Sequence, residues 1–417
     1  MSLDLLSVLG DREHYYRFRH FIRDEILSHE VKQIINDLEN YYETHASIDS
    51  VDWEQFSEWF VLVKHPTYKR DKVGNYEKVF DRLSLHTTTD LASAIVEKYI
   101  KQDYCARIAD IALRGSEGEE VDLADVEVLL DDWSSETERA SKLDTFIVTD
   151  DLESLVETVV ENGYKWRMQF LNESIGSVRK GKLMCFAARP NTGKTTFLAS
   201  EATFIAPQLP DDEVVLWFNN EEAGEDVKFR VVQAALGWDA DKIRKDVRSA
   251  MYTYETVVNG KGKIVIVDKA DLSTKDIEEF VRQYNPGLIV VDQLWKVHGY
   301  EKSSATDTAR LGHIFQWARE IAKKHAPILT VHQVKTEGEG VDYLTPSMLY
   351  LSGTVIQGEV DSLVMMGRKY EAGYDDVRFL TIAKNKGAYG PDVNPKMREG
   401  RAEVMIVPET AQYKEVV

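Results

Sequence analysis

Cysteine is nearly missing from this chain. The two present, Cys105 and Cys185, lie far apart and match no metal or redox spacing, which excludes a disulfide framework and a cysteine-built zinc site. Long apolar runs are missing too: none reaches the roughly 18 residues needed to cross a bilayer, so no membrane partner is expected. Positive charge is scarce, with 51 Lys and Arg against 71 Asp and Glu and a formal charge of −20. Such a mean field repels polyanions, so nucleic acid would have to be held in a locally basic channel. The opening stretch "MSLDLLSVLGDREHYY" carries an acid inside its only apolar run and makes a poor signal peptide. A soluble protein of a reducing compartment, the cytoplasm, is the expectation. What is plentiful is core material: 43% of 417 residues are hydrophobic, enough for two domains, or for one large domain with an appendage.

The chain reads as three segments. Residues 1–114 are expected to form a helical N-terminal domain, because "HYYRFRHFIRDEILSHEVKQIINDLENYY" and "LASAIVEKYIKQDYCARIADIAL" repeat apolar and aromatic residues at helical spacing. Residues 115–164 read as an acidic joint and linker helix. Glu117 to Glu138 holds ten acids and no Lys or Arg, the composition of a solvated face or connecting segment. From about Lys165 to the last residue, strand-like runs alternate with amphipathic helical stretches. "KLMCFAA", "EVVLWFNN", "KIVIVD", "GLIVVDQL" and "PILTVHQV" are each followed by or interleaved with helix patterns. This alternation predicts an α/β domain with a mostly parallel, doubly covered sheet. Three further strands are expected in "DSLVMMGRK", "VRFLTIAKNK" and "RAEVMIV", and Ser273 with Asp276 predicts a capping box.

The chemistry begins at "AARPNTGKTTF", Ala187 to Phe197. A phosphate loop needs inward-turned backbone N–H groups, a lysine for the β- and γ-phosphates and a hydroxyl for Mg²⁺. Gly193, Lys194 and Thr195 supply the end of that pattern, after a buried-looking strand and at the start of a helix, whose N-terminus faces the anion. Ala188 stands where glycine usually begins the signature; it suffices if its φ stays negative. Ala188, Arg189, Pro190, Asn191, Thr192, Gly193, Lys194, Thr195 and Thr196 are therefore the expected nucleotide contacts, for ATP or GTP. Asp292, ending the apolar run "GLIVVD", is the expected metal-side acid. Glu221, after "VVLWFNN", is the preferred group to activate water, with Glu222 beside it as the competing choice.

Together these residues resemble the replicative hexameric DNA helicases of the DnaB type, in particular their phage-encoded members. That family's phosphate loop tends to read A-A-R-P-x-x-G-K-T, as "AARPNTGKT" does. The resemblance makes Glu221 the catalytic glutamate and Arg230, nine residues later, its associated arginine at the nucleotide. It puts Gln333 of "TVHQV" at the glutamine that senses the γ-phosphate and contacts DNA. It covers about Lys165 to Val407 and implies a RecA-like P-loop domain behind an all-α N-terminal collar. It further implies ATP and Mg²⁺ as cofactors, single-stranded DNA as partner, and a homohexamer moving 5′→3′. A separate primase is implied as well, and a loader would be a further partner. A phage-encoded chain would act in the host cytoplasm.

Two departures stand out. Where the family carries K-x-R, whose arginine reaches the neighbouring subunit's nucleotide, "AKNKG" supplies Lys384 and Lys386. A lysine is a point charge without the bidentate fork, so either Lys386 serves or Arg368 or Arg378 takes part. The loop expected to grip DNA, "KTEGEGVDYLTPSM", is acidic with Lys335 its only cation. Gly338 and Gly340 would let backbone N–H groups approach phosphates. The rival reading keeps the fold and changes the job. It is a RecA-like ATPase that pairs strands or remodels protein without unwinding.

Overall fold

The computed structural model describes residues 3–85, 91–142, 148, 150–299, 306–351 and 353–416. The chain divides into two compact units, Met1–Val148 and Thr149–Val417.

The described residues of the first unit are helical. Its principal helices are Leu3–Leu9, Arg12–Phe18, His29–Thr44, Trp53–Trp59, Arg70–Ser84, Ala92–Ser116 and Ala124–Lys142. Asp11, Ser28 and Asp52 cap three of them by accepting backbone N–H bonds. The aromatic residues at helical spacing form the core, where Tyr15, Phe18, Tyr42, Phe56, Phe60, Tyr76 and Phe80 are almost wholly buried. The acidic stretch differs from the expected joint. Most of it is the helix Ala124–Lys142, packed against Ala92–Ser116 within this unit. Leu129, Trp133 and Ala140 recur on one face and join the core. An apolar stripe this thin is easily hidden by the acids on the other faces.

The second unit is built on a nine-stranded sheet. Its strands are β1 (Leu183–Ala188), β2 (Val214–Asn219), β3 (Ile264–Asp268), β4 (Pro286–Asp292), β5 (Ile328–Gln333), β6 (Ser362–Gly367), β7 (Val377–Asn385), β8 (Arg401–Val407) and β9 (Gln412–Glu415). They run in the order β3-β2-β4-β5-β1-β6-β7-β8-β9. The pairs from β3 through β6 are parallel, and those from β6 to β9 antiparallel. Alternate residues serve opposite faces. Met184, Phe186, Trp217, Val290 and Val331 pack under the helices Lys194–Ile205 and Gly224–Leu236. Cys185, Leu216, Phe218, Ile289 and Val291 pack under Thr274–Gln283 and Asp307–Lys324. The expected capping box of Ser273 and Asp276 is present. The parallel order brings the C-terminal ends of β1, β2, β4 and β5 to one edge, where open α/β sheets place their ligands.

Candidate functional site

β1 runs into the loop 189–193 and then the helix Lys194–Ile205. Left-handed backbone falls at Asn191 (φ 60°) and Gly193 (φ 106°), while Ala188 is not among the positive-φ residues. This explains how alanine can stand first: the turn places its demand further along the loop. At Gly193 a Cβ would lie 2.5 Å from Tyr413 Oη and 2.7 Å from Ile406 Cδ1, so only glycine fits. The loop rests on a polar floor. Arg378 Nε donates to the Thr192 carbonyl at 2.8 Å, and the Tyr413 hydroxyl lies 3.3 and 3.2 Å from the carbonyls of Thr192 and Gly193. Arg378 is thus buried beneath its own chain's loop, which removes it as a finger for a neighbour. Arg368 sits with its guanidinium 5.2 Å from the ring centre of Tyr370.

Lys194 is buried and donates across the loop to the Arg189 carbonyl at 3.2 Å. Burial lowers its pKa, and the nearby charges of Glu221 and Asp292 oppose that shift. Thr195 Oγ1 donates to Asp292 Oδ2 at 2.9 Å. Burial pushes Asp292 up to about 6, against the lowering effect of the Thr195 hydroxyl. Its other oxygen, Oδ1, is buried without a hydrogen-bond partner. A carboxylate with a lone unfilled acceptor beside a hydroxyl fits a Mg²⁺ site, in which the ion keeps several waters and takes few protein ligands. Among the described residues no cluster of three or more His, Cys, Asp or Glu could hold a metal alone. Thr195 and Asp292 are accordingly the protein groups that would hold Mg²⁺.

The two adjacent glutamates part company. Glu222 pairs with Arg230 at 2.8 Å, so Arg230 directs its charge to Glu222. Glu221 turns toward the strand ends, with its Oε1 3.6 Å from Lys296 Nζ and its Oε2 accepting from Gln293 Nε2. Gln333 ends β5 in register with Ala188, and its Nε2 donates to Gln293 Oε1 at 3.3 Å. Gln293 thus joins two expected site residues and is itself absent from the sequence expectations. Its one sequence signal is an amide directly after the acid that ends a buried strand.

Arg189 leaves the loop sideways. It donates to the Val334 carbonyl at 3.0 Å and pairs with Glu339 at 3.0 Å, tying the phosphate loop to the segment after β5. In that segment Lys335 Nζ donates to the Ser347 carbonyl at 3.3 Å. Gly338 departs from expectation. It is buried, its N–H goes to the Lys335 carbonyl, and a Cβ would meet Val334 at 2.5 Å and Leu344 at 3.0 Å. Close packing, not an outward amide, is what glycine provides there. Gly340 is exposed, at φ 72°.

Lys384 and Lys386 lie elsewhere. Asn385 pairs with Ser362, and Ser362 with Met184, at the sheet edge opposite the phosphate loop. From Met184 to Ala188 is about 13 Å of strand. Lys384 Nζ donates to the Gln357 carbonyl, and Lys386 is exposed. Neither belongs to the phosphate site of its own chain.

This geometry has counterparts. A family model described as an AAA domain matches residues 151–339, the span that holds the phosphate loop, Glu221, Asp292 and Gln333. No curated protein matches the chain. One solved structure, of an isolated ATPase domain, is similar at a TM-score of 0.53 and 18% identity, covering 67% of this chain and 99% of that one. A DnaB-like replicative helicase, described together with its interactions with primase, is similar at a TM-score of 0.58 and 17% identity, covering 100% of both chains. The fold is that of a DnaB-like replicative helicase. Its second unit has the architecture of a RecA-like P-loop ATPase domain, with a helical unit before it. None of the described helices is long and apolar enough to cross a membrane.

Proposed function

We propose that the protein is an ATP-driven replicative DNA helicase acting as a homohexameric ring. One observation carries this reading. Lys194, Thr195, Asp292, Glu221 and Gln333 gather at one sheet edge, while Lys384 and Lys386 stand at the other. A second copy of the chain would bring its lysines to the first copy's phosphates, so each site would be completed between subunits.

The residues then divide the work. Lys194 and the N–H groups at the helix start hold the β- and γ-phosphates. Thr195 and Asp292 hold Mg²⁺, which supplies charge neutralisation on the phosphate oxygens. Glu221 orients and deprotonates the attacking water. Gln333 senses the γ-phosphate, and the neighbour's Lys386, with Lys384 beside it, offsets the charge developing on the transferred group. The Arg189–Glu339 pair carries the state of the loop to residues 335–340, where Lys335 and the exposed Gly340 face single-stranded DNA. Such a grip on backbone carries little sequence preference. The N-terminal unit forms the collar, and a separate primase is the expected partner, as for the DnaB-like relative.

The test is unwinding of forks bearing only a 5′ or only a 3′ loading tail, with ATP and Mg²⁺ and with Lys194→Ala as control. Unwinding that needs the 5′ tail and vanishes in the variant is expected. Turnover without unwinding, persisting after a loader is added, would favour the strand-pairing or remodelling ATPase instead.

A further inference from the structure

Gln293 is fully buried and holds a left-handed backbone, φ 69°, which a long side chain adopts rarely. Its surroundings explain why the conformation is kept. Along β4 successive side chains alternate between faces, so an extended residue after Asp292 would point away from the side chain before it. The left-handed turn ends the strand and lays the Gln293 side chain along the sheet edge. There Nε2 donates to Glu221 Oε2. Oε1 accepts from Trp295 Nε1 at 2.9 Å and from Gln333 Nε2 at 3.3 Å. The carboxylate can only accept and the indole can only donate, so this orientation of the amide satisfies both partners and a flip would satisfy neither.

The sheet order makes the bridge necessary. Glu221 follows β2 and Gln333 ends β5, with β4 between them. Strands two apart are separated by about 10 Å, too far for the two side chains to meet directly. Gln293, at the end of the middle strand, touches both. Its main chain is fixed as well: Asn220 Nδ2 donates to its carbonyl at 3.3 Å, and the next N–H, of Leu294, donates to Thr330 Oγ1 at 3.3 Å.

We propose that Gln293 is a positioning residue that sets the Glu221 carboxylate according to the state of Gln333. When Gln333 turns to a phosphate, Oε1 loses one of its two donors and keeps the other, Trp295. The amide then re-centres on the indole and carries Glu221 with it. The inference rests on Glu221 as the water-activating group and Gln333 as the sensor.

Two variants of the full chain test it in steady-state ATP turnover with Mg²⁺. Gln293→Glu keeps size and acceptor but faces Glu221 with a second carboxylate. Gln293→Gly removes the side chain and suits the left-handed backbone. For both, kcat is expected to fall about 10²-fold, the scale of a misplaced catalytic group. Affinity for a fluorescent ATP analogue should stay within about threefold, since the loss is confined to the transition state. In a Glu221→Gln background, Gln293→Gly should add no further loss. The emission of Trp295, taken as wild type minus Trp295→Phe, should respond to the analogue in wild type and not in Gln293→Gly. Wild-type kcat in both variants, losses that multiply with Glu221→Gln, or a collapse of analogue affinity would each overturn the proposal. A wild type without turnover would instead defeat the helicase reading on which it stands.

Discussion

Thr195 and Asp292, 97 residues apart in sequence, are joined by a 2.9 Å hydrogen bond inside the protein. The hydroxyl and carboxylate assigned to Mg²⁺ are therefore placed by the fold itself, by the helix that β1 feeds and by the end of β4.

Removing that carboxylate should separate folding from turnover. Asp292→Asn keeps volume and an acceptor for Thr195, and we expect ATP turnover to fall by about 10²-fold or more as Mg²⁺ affinity drops. In the wild type, burial holds the Asp292 pKa at about 6, so a proton competes with the ion below that pH. Titrating Mg²⁺ against turnover at pH values about half a unit below and well above that pKa should show weaker binding at the lower value. Equal Mg²⁺ dependence at both would remove Asp292 from the site.

A second buried carboxylate bears on stability. Glu201 is fully buried in the helix after the phosphate loop and accepts the Arg167 N–H at 2.7 Å. Burial raises its pKa from 4.5 to about 7. Between those values the folded state binds more protons than the unfolded one, so stability falls as pH rises through this window and is flat above it. The difference between wild type and Glu201→Gln in urea unfolding should therefore change by about 3 kcal/mol across this window, with the variant the less pH-sensitive.

The floor of the loop can be probed from beneath. Arg378→Ala strips a charged donor from the Thr192 carbonyl, and Mg²⁺–nucleotide affinity should drop about tenfold; Tyr413→Phe removes a neutral contact and should cost about fivefold. Equilibrium binding measures both. Affinity unchanged in Arg378→Ala would mean that the loop keeps its shape unaided.

Arg189 and Glu339 are partly exposed, so breaking their pair should change stability by less than about 1 kcal/mol. Its expected effect is on coupling: in Glu339→Gln, stimulation of ATP turnover by single-stranded DNA should shrink severalfold. Full stimulation in the variant would show that the pair carries no signal.

Lys386→Ala should abolish DNA-stimulated turnover and leave nucleotide affinity nearly intact. Mixing it with Lys194→Ala copies should restore turnover that neither has alone, since some sites would then combine an intact Lys194 with an intact Lys386. Absence of recovery in mixed assemblies would place the lysine outside its neighbour's site.

Much of the fold and of the site is legible in the residues. Strands buried on both faces are unbroken apolar runs, and β1 and β4 are buried at every position. The phosphate loop declares itself through glycine, lysine and threonine at a strand–helix junction. Other parts leave faint traces. β9 has one buried residue, Tyr413, among exposed or half-exposed neighbours, and four residues give no period to read. The helix Ala124–Lys142 hides three core positions among its acids. Gln293 escapes notice because strand alternation predicts that it points away from the side chain before it, and only its left-handed backbone turns it back. Gly338 suggests conformational freedom, whereas its lack of volume is what the packing uses.

The floor of the nucleotide loop has a consequence in time. Tyr413 lies 221 residues after the Thr192 carbonyl that it supports. At ribosomal rates of about 5–20 residues per second, the loop waits tens of seconds for its support. An emerging chain therefore holds its GKT sequence long before it can grip a nucleotide firmly, and a copy cut short before β9 enters the cell without a finished motor. The ability to burn fuel is conferred near the end of synthesis, which keeps incomplete copies from turning over ATP while they still have no partners.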